Sequence, residues 1–172
     1  NVFLIKRRRD MKINIKMEGL ENISSLVDDL VDKQDIKRAM GKACALVERK
    51  AKEKAPKDTG ELRRSITSKV IDKGGSITGV VYTPLEYAPY VEFGTGLFAE
   101  GGNGRKDVPW FIPISNEFPL SKAEKYHMRI FEGSNGQKFA MSFGQHPHPF
   151  MRPALDESRT QILRILKEGL GK

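Results

Sequence analysis

The 172 residues are 38% hydrophobic and 30% charged, which suits one globular domain long enough to bury a core. No apolar run approaches the roughly 20 residues of a bilayer-spanning helix, and the opening NVFLIKRRRD puts its basic cluster after its apolar run, unlike a signal peptide. One cysteine, Cys44, excludes an intramolecular disulfide, and a net charge of +8 favours DNA, an acidic protein surface or simply a solvated basic face.

In chain order, Met11 reads as a native start, with residues 1–10 an upstream extension or expression remnant left out of the fold reading. Residues 11–18 alternate (Ile13, Ile15, Met17 against Lys12, Asn14, Lys16) and predict a short strand ended by Gly19. Leu20, Ile23, Leu26, Val27, Leu30 and Val31 recur at helical spacing. A second helix is expected from about 35 to 54, with Met40, Ala43, Cys44, Val47 and Ala51 on its apolar face and a break near 33–35. Pro56 ends it, because the residue before a proline is biased away from the helical region. Asp58 is placed to cap a new turn, with Glu61 completing a capping-box-like pair. SITSKVID and SITGVVYT, joined at 73–76, predict a β-hairpin.

After Pro84, residues 85–93 read as a short helix or turn. The glycines that follow predict a mobile loop from about 95 to 107. VPWFIPI (108–114) is proline-broken and fits an edge strand at most. YHMRIFEG and QKFAMSFG flank Asn135-Gly136, a second hairpin signal. Residues 150–170 predict a final amphipathic helix. Pro153 sits in its first turn, Leu155, Ile162, Ile165 and Leu166 form its stripe, and Gly169 and Gly171 let it fray. The class is α+β: one antiparallel sheet of two hairpins, packed by a long N-terminal helix and a C-terminal helix, as a single domain over 11–172.

The ordered set AKEKAPKDTGELRRSI, YAPYVEFGTG, a Trp/Phe-Pro stretch and GQHPHPFMRPAL resembles the gene-product-ten-like family of HK-type tailed phages, described as tail-component or neck proteins. The resemblance covers about 11–170. It implies a virion protein assembled in the bacterial host cytoplasm that acts at the head–tail joint. Its implied partners are other neck and tail proteins, further copies of itself in a ring, and the passing DNA; it implies neither membrane nor cofactor. Tail completion is the alternative role. The chain departs from the family pattern in its long glycine-rich segment after Gly96.

On the residues themselves, Pro56, Asp58, Thr59 and Gly60 form a corner between helix and sheet. Tyr87, Tyr90, Glu92 and Phe93 offer either a subunit contact or a core contribution. Gly94-Thr95-Gly96 is too short for a phosphate loop. Phe150 and Pro153 belong to a rigid corner that launches the last helix, with Phe150 as its anchor. Arg63, Arg64 and Lys69 are the DNA-facing candidates, suited to phosphate attraction without a base-reading code.

An enzyme is the weaker reading. His127, His146 and His148 lack a familiar ligand spacing, Cys44 lies in a core pattern, and nothing fixes the separation of Glu86 from Glu92. A free-standing DNA-binding protein would be expected to carry a recognised binding signature, and none is found. The expectation is a structural protein with no catalytic, metal or cofactor site.

Overall fold

A computed structural model describes residues 2–7, 10–16, 32–73, 76–102 and 104–170, the first two segments and residue 170 by backbone alone. The helix expected over 20–31 and the turn at 74–75 lie outside the described residues. Two compact units emerge: a body formed by the chain up to Glu92 and from His148 onward, and an insert, Phe93–Pro147.

The body holds a four-stranded antiparallel sheet, with strands β1 (Val2–Arg7), β2 (Asp10–Lys16), β3 (Thr67–Lys73) and β4 (Ser76–Thr83) in the order β1-β2-β4-β3. The strand expected at 11–18 is β2, and the hairpin expected at 65–83 is β3–β4, in register from Thr67 opposite Tyr82 to Lys73 opposite Ser76. Helix α1 (Lys33–Lys54) crosses the sheet. Asp32 starts it by accepting the Gln34 N–H at 2.9 Å. Ala55 stops it, already extended ahead of Pro56. Met40, Ala43, Cys44, Val47 and Ala51 are all buried, as their spacing predicts. Gly79 of β4 is what lets α1 lie so close. A Cβ there would run into Cys44 Sγ and come within 2.8 Å of Met40 Sδ.

Helix α2 (Glu61–Ser65) links α1 to β3, and α3 (Ala88–Phe93) follows β4. The final helical stretch is two helices, α5 (Met151–Asp156) and α6 (Arg159–Leu170). Buried Ser158 marks the break, its hydroxyl donating to the Ala154 carbonyl at 2.6 Å. Leu155, Ile162 and Leu166 are buried, and Ile165 packs at the edge of the cluster. Gly169 serves close packing rather than fraying: a Cβ would come within 2.5 Å of Ala39 Cβ on α1.

The insert has its own three-stranded sheet, β5 (Trp110–Pro113), β6 (Arg129–Glu132) and β7 (Lys138–Ser142), ordered β5-β7-β6, with helix α4 (Leu120–Lys125). The stretch 108–114 yields an edge strand, as expected. The Asn135-Gly136 hairpin forms as β6–β7, with Asn135 Oδ1 accepting the Gln137 N–H at 3.1 Å. The α+β class holds. The two hairpins lie in two sheets rather than one, because each pairs with a different third strand.

Candidate functional site

Glu92 organises the motifs that the sequence reading kept apart. Its side chain is fully buried. Oε2 accepts the N–H groups of Phe150 at 2.7 Å and Met151 at 2.9 Å. Oε1 accepts the Arg152 N–H at 3.0 Å and Arg152 Nε at 3.1 Å. Phe150, the capping residue of α5, has no side-chain oxygen, so a carboxylate 58 positions away does the capping. Pro153 comes next and has no N–H to satisfy. One backbone bond reinforces the junction, His148 N–H to the Val91 carbonyl at 2.7 Å. The sequence left Glu92 between a subunit contact and a core contribution; the fold turns it inward and occupies both of its oxygens. The missing cap ahead of α5 was the available signal, and Glu92 is the only acid between Glu86 and Glu100.

Around this clamp the aromatics face outward. Tyr90 is 57% exposed and Tyr87 39% exposed, and Tyr87 Oη donates to Glu61 Oε2 at 3.3 Å. Burial first, and then the Glu61 charge, push the Tyr87 phenol above its ordinary value. Phe93 is half-buried, and Phe150 is fully buried in the body core.

The corner at 56–60 differs in detail from the expected capping box. Gly60 holds the capping position of α2, at φ +77°, and no side chain caps the helix from there. Thr59 Oγ1 accepts the Glu61 N–H at 3.3 Å, and Arg64 Nη1 donates to the Thr59 carbonyl at 3.3 Å. Asp58 is exposed beside this turn.

The basic candidates do not form one surface. Ser68 Oγ donates to Glu48 Oε2 of α1, so the next residue, Lys69, lies on the opposite face of β3. There its ammonium sits 5.1 Å from the Tyr82 ring centroid. Arg63 lines a shallow groove with Ala45, Glu48, Arg49, Lys52 and Glu53, and Arg64 is exposed on α2. Much of the charge on α1 is matched internally. Lys33 and Lys37 reach Asp72, Lys52 reaches Glu48, and Lys54 reaches Glu157. Hydrogen bonds from Lys37 and then Lys33 hold the Asp72 carboxyl below its usual value. Burial alone would raise Glu48, but its bonds from Lys52 and Ser68 outweigh that and hold it low.

In the insert, the GTG stretch is a backbone crossing. The Thr95 N–H donates to the Gln145 carbonyl at 2.9 Å, and the Leu97 N–H donates to the Phe143 carbonyl at 2.9 Å. A Cβ on Gly96 would strike the Phe143 carbonyl, and one on Gly94 would come within 2.7 Å of the Gln145 carbonyl. Further along, the register puts Phe111, Met141 and Arg129 on one sheet face with Pro113, Phe139 and Phe131. Phe111 and Phe131 meet edge to face at 5.9 Å, yet are 54% and 42% exposed. Leu97, Tyr126 and Phe143 are also exposed, whereas the buried hydrophobic side chains of the described insert are Ala123 and Ala140 alone.

Among the described residues, no buried side-chain nitrogen or oxygen lacks a hydrogen-bond partner, and no group of three or more His, Cys, Asp or Glu side chains could hold a metal ion. No described helix is long and apolar enough to cross a membrane. Residues 18–94, just under half of the chain, match a family model described as "Bacteriophage HK97-gp10, putative tail-component", and over that segment the chain is similar to that phage family. No curated protein and no solved structure matches the chain. The matched segment ends just past Glu92, so the clamp joins the family region to the C-terminal HPFMRPAL motif.

Proposed function

We propose that the chain is a structural subunit of a tailed-phage or prophage virion, acting in head–tail joining as one member of a ring. The observation that carries this reading is the ratio of exposed to buried apolar surface in the insert. Aromatic patches of that kind mark surfaces that another protein covers. The family match supplies the phage context. Tyr87 and Tyr90, exposed beside the clamp, are the body's candidates for the same role, with Phe93 beside them. Subunits would assemble in the host cytoplasm and end in the virion, with neck and tail proteins as neighbours.

A tail-completion role is the second reading, favoured by the family's description as a tail component. DNA contact is a lesser part of the proposal. The ion pairs of α1 reduce the field available to phosphates, and of the DNA-facing candidates Arg63 and Arg64 lie apart from Lys69, which is on another face.

Electron microscopy of particles from the parent phage lacking this gene is the deciding experiment. DNA-filled heads beside finished, unattached tails support head–tail joining. Tails of abnormal length favour completion instead. Normal infectious particles overturn both.

A further inference from the structure

We infer that residues 93–147 form an arm that folds and unfolds as its own cooperative unit, held at its base by a clamp made entirely of body residues. The inference does not depend on the head–tail reading. Both stems of the arm are fixed by the body. Val91 and His148 share a backbone bond of 2.7 Å, and the Glu92 carboxylate holds the N–H groups of 150–152. The ends of a 55-residue excursion are thus brought together before the arm makes any contact of its own. The chain entropy of closing that loop is covered by bonds that survive when the arm is open.

Within the arm a second tie closes just inside the stems. Thr95 and Gln145 exchange backbone bonds of 2.9 and 3.3 Å, and Thr95 Oγ1 also accepts the Gln145 N–H at 2.9 Å. Beyond it lie a separate sheet and a separate small core, Ala123 and Ala140. Among the described residues, the body's hydrophobic cluster draws on positions within 36–91 and 150–166 and on none of the arm. Two alanines supply little burial free energy, whereas the body buries Phe150, Met40, Met151 and Ile66 completely. The arm is therefore the low-stability unit and the body the high-stability one. Such an arm can open or re-form around a partner while the body stays folded.

Amide hydrogen exchange of the full-length chain tests this, with Ala140→Asp and Ala123→Asp each placing a charge in the arm's core. Amides of β5, β6 and β7 should exchange about 100-fold faster or more, while α1 and β4 stay within about twofold of the parent. Loss of protection in α1 and β4 along with the arm overturns the inference. An arm of the parent that already exchanges at the unfolded rate also overturns it, because it would not be a folded unit at all. So does an arm whose protection survives both substitutions, because its order would then not come from its own core.

Discussion

Replacing Glu92 by Ala removes the acceptor of three backbone N–H groups, those of Phe150 and Met151 buried and that of Arg152 partly so, and of Arg152 Nε. An orphaned buried donor costs about 1–3 kcal/mol, and deleting one partner of a buried ionic contact costs about 3–5 kcal/mol. The Arg152 side chain is 32% exposed and can turn to water, so its share is discounted. The three backbone donors cannot turn, because Met151 and Phe150 are buried and α5 fixes them. They share one carboxylate, so their costs do not add. The expected loss is about 3–5 kcal/mol for Glu92→Ala. Glu92→Gln should lose about half as much, since its oxygen can still serve Phe150 and Met151 while its NH2 faces the Arg152 donors. Urea unfolding followed by helical circular dichroism reads the loss as a lower midpoint at unchanged slope. A loss below about 1 kcal/mol for Glu92→Ala would refute the clamp, since the donors would then have found other acceptors.

Phe150→Ala should cost about 3–5 kcal/mol by the same assay, since the ring is fully buried; a change near zero would remove it as the anchor of α5. Gly79→Ala should cost about 1–3 kcal/mol by overpacking against Cys44 and Met40, and Cys44→Ala should recover part of that loss in the double variant. Burial, and then the nearby Glu48 charge, push the Cys44 thiol up to about 11, so it should resist alkylation at pH 8 until the chain unfolds; rapid labelling of the native protein would contradict this. Glu48 is held below its ordinary 4.5, so its contribution is present above that pH and is lost as pH falls through the folded value; Glu48→Gln should be less stable than the parent at pH 7, with the gap closing below about pH 4.5.

What the sequence made legible was local. The stripe from Met40 to Ala51, the stop at Pro56, the strands about 73–76 and the Asn135-Gly136 turn each follow from neighbours in the chain, and each forms. The division of the hairpins between two sheets was not legible, because a strand's own alternation does not name its third partner. The break in the C-terminal helix was missed for a different reason. Its apolar stripe continues through Ser158, so periodicity alone reads one helix. Gly94 and Gly96 read as loop glycines, yet both answer crowding that only the folded crossing with 143–145 creates.

Glu92 is the most informative of these cases. An acid among Tyr90, Val91 and Phe93 reads as surface by composition, yet it is the most deeply committed carboxylate among the described residues. Its partners lie 58 to 60 positions away, and the match to the family model stops before them. The requirement it meets is nevertheless written at the other end. A helix beginning PFMRPAL after HPH has no Ser, Thr, Asp or Asn at its start, and its first turn must find an acceptor elsewhere. Asking which remote acid could serve an uncapped helix links two motifs that seem unrelated in sequence. The link also explains how a 55-residue excursion can be accommodated between them. The two positions that bracket it are the two that the clamp holds together, so the length between them can change at little cost to the body.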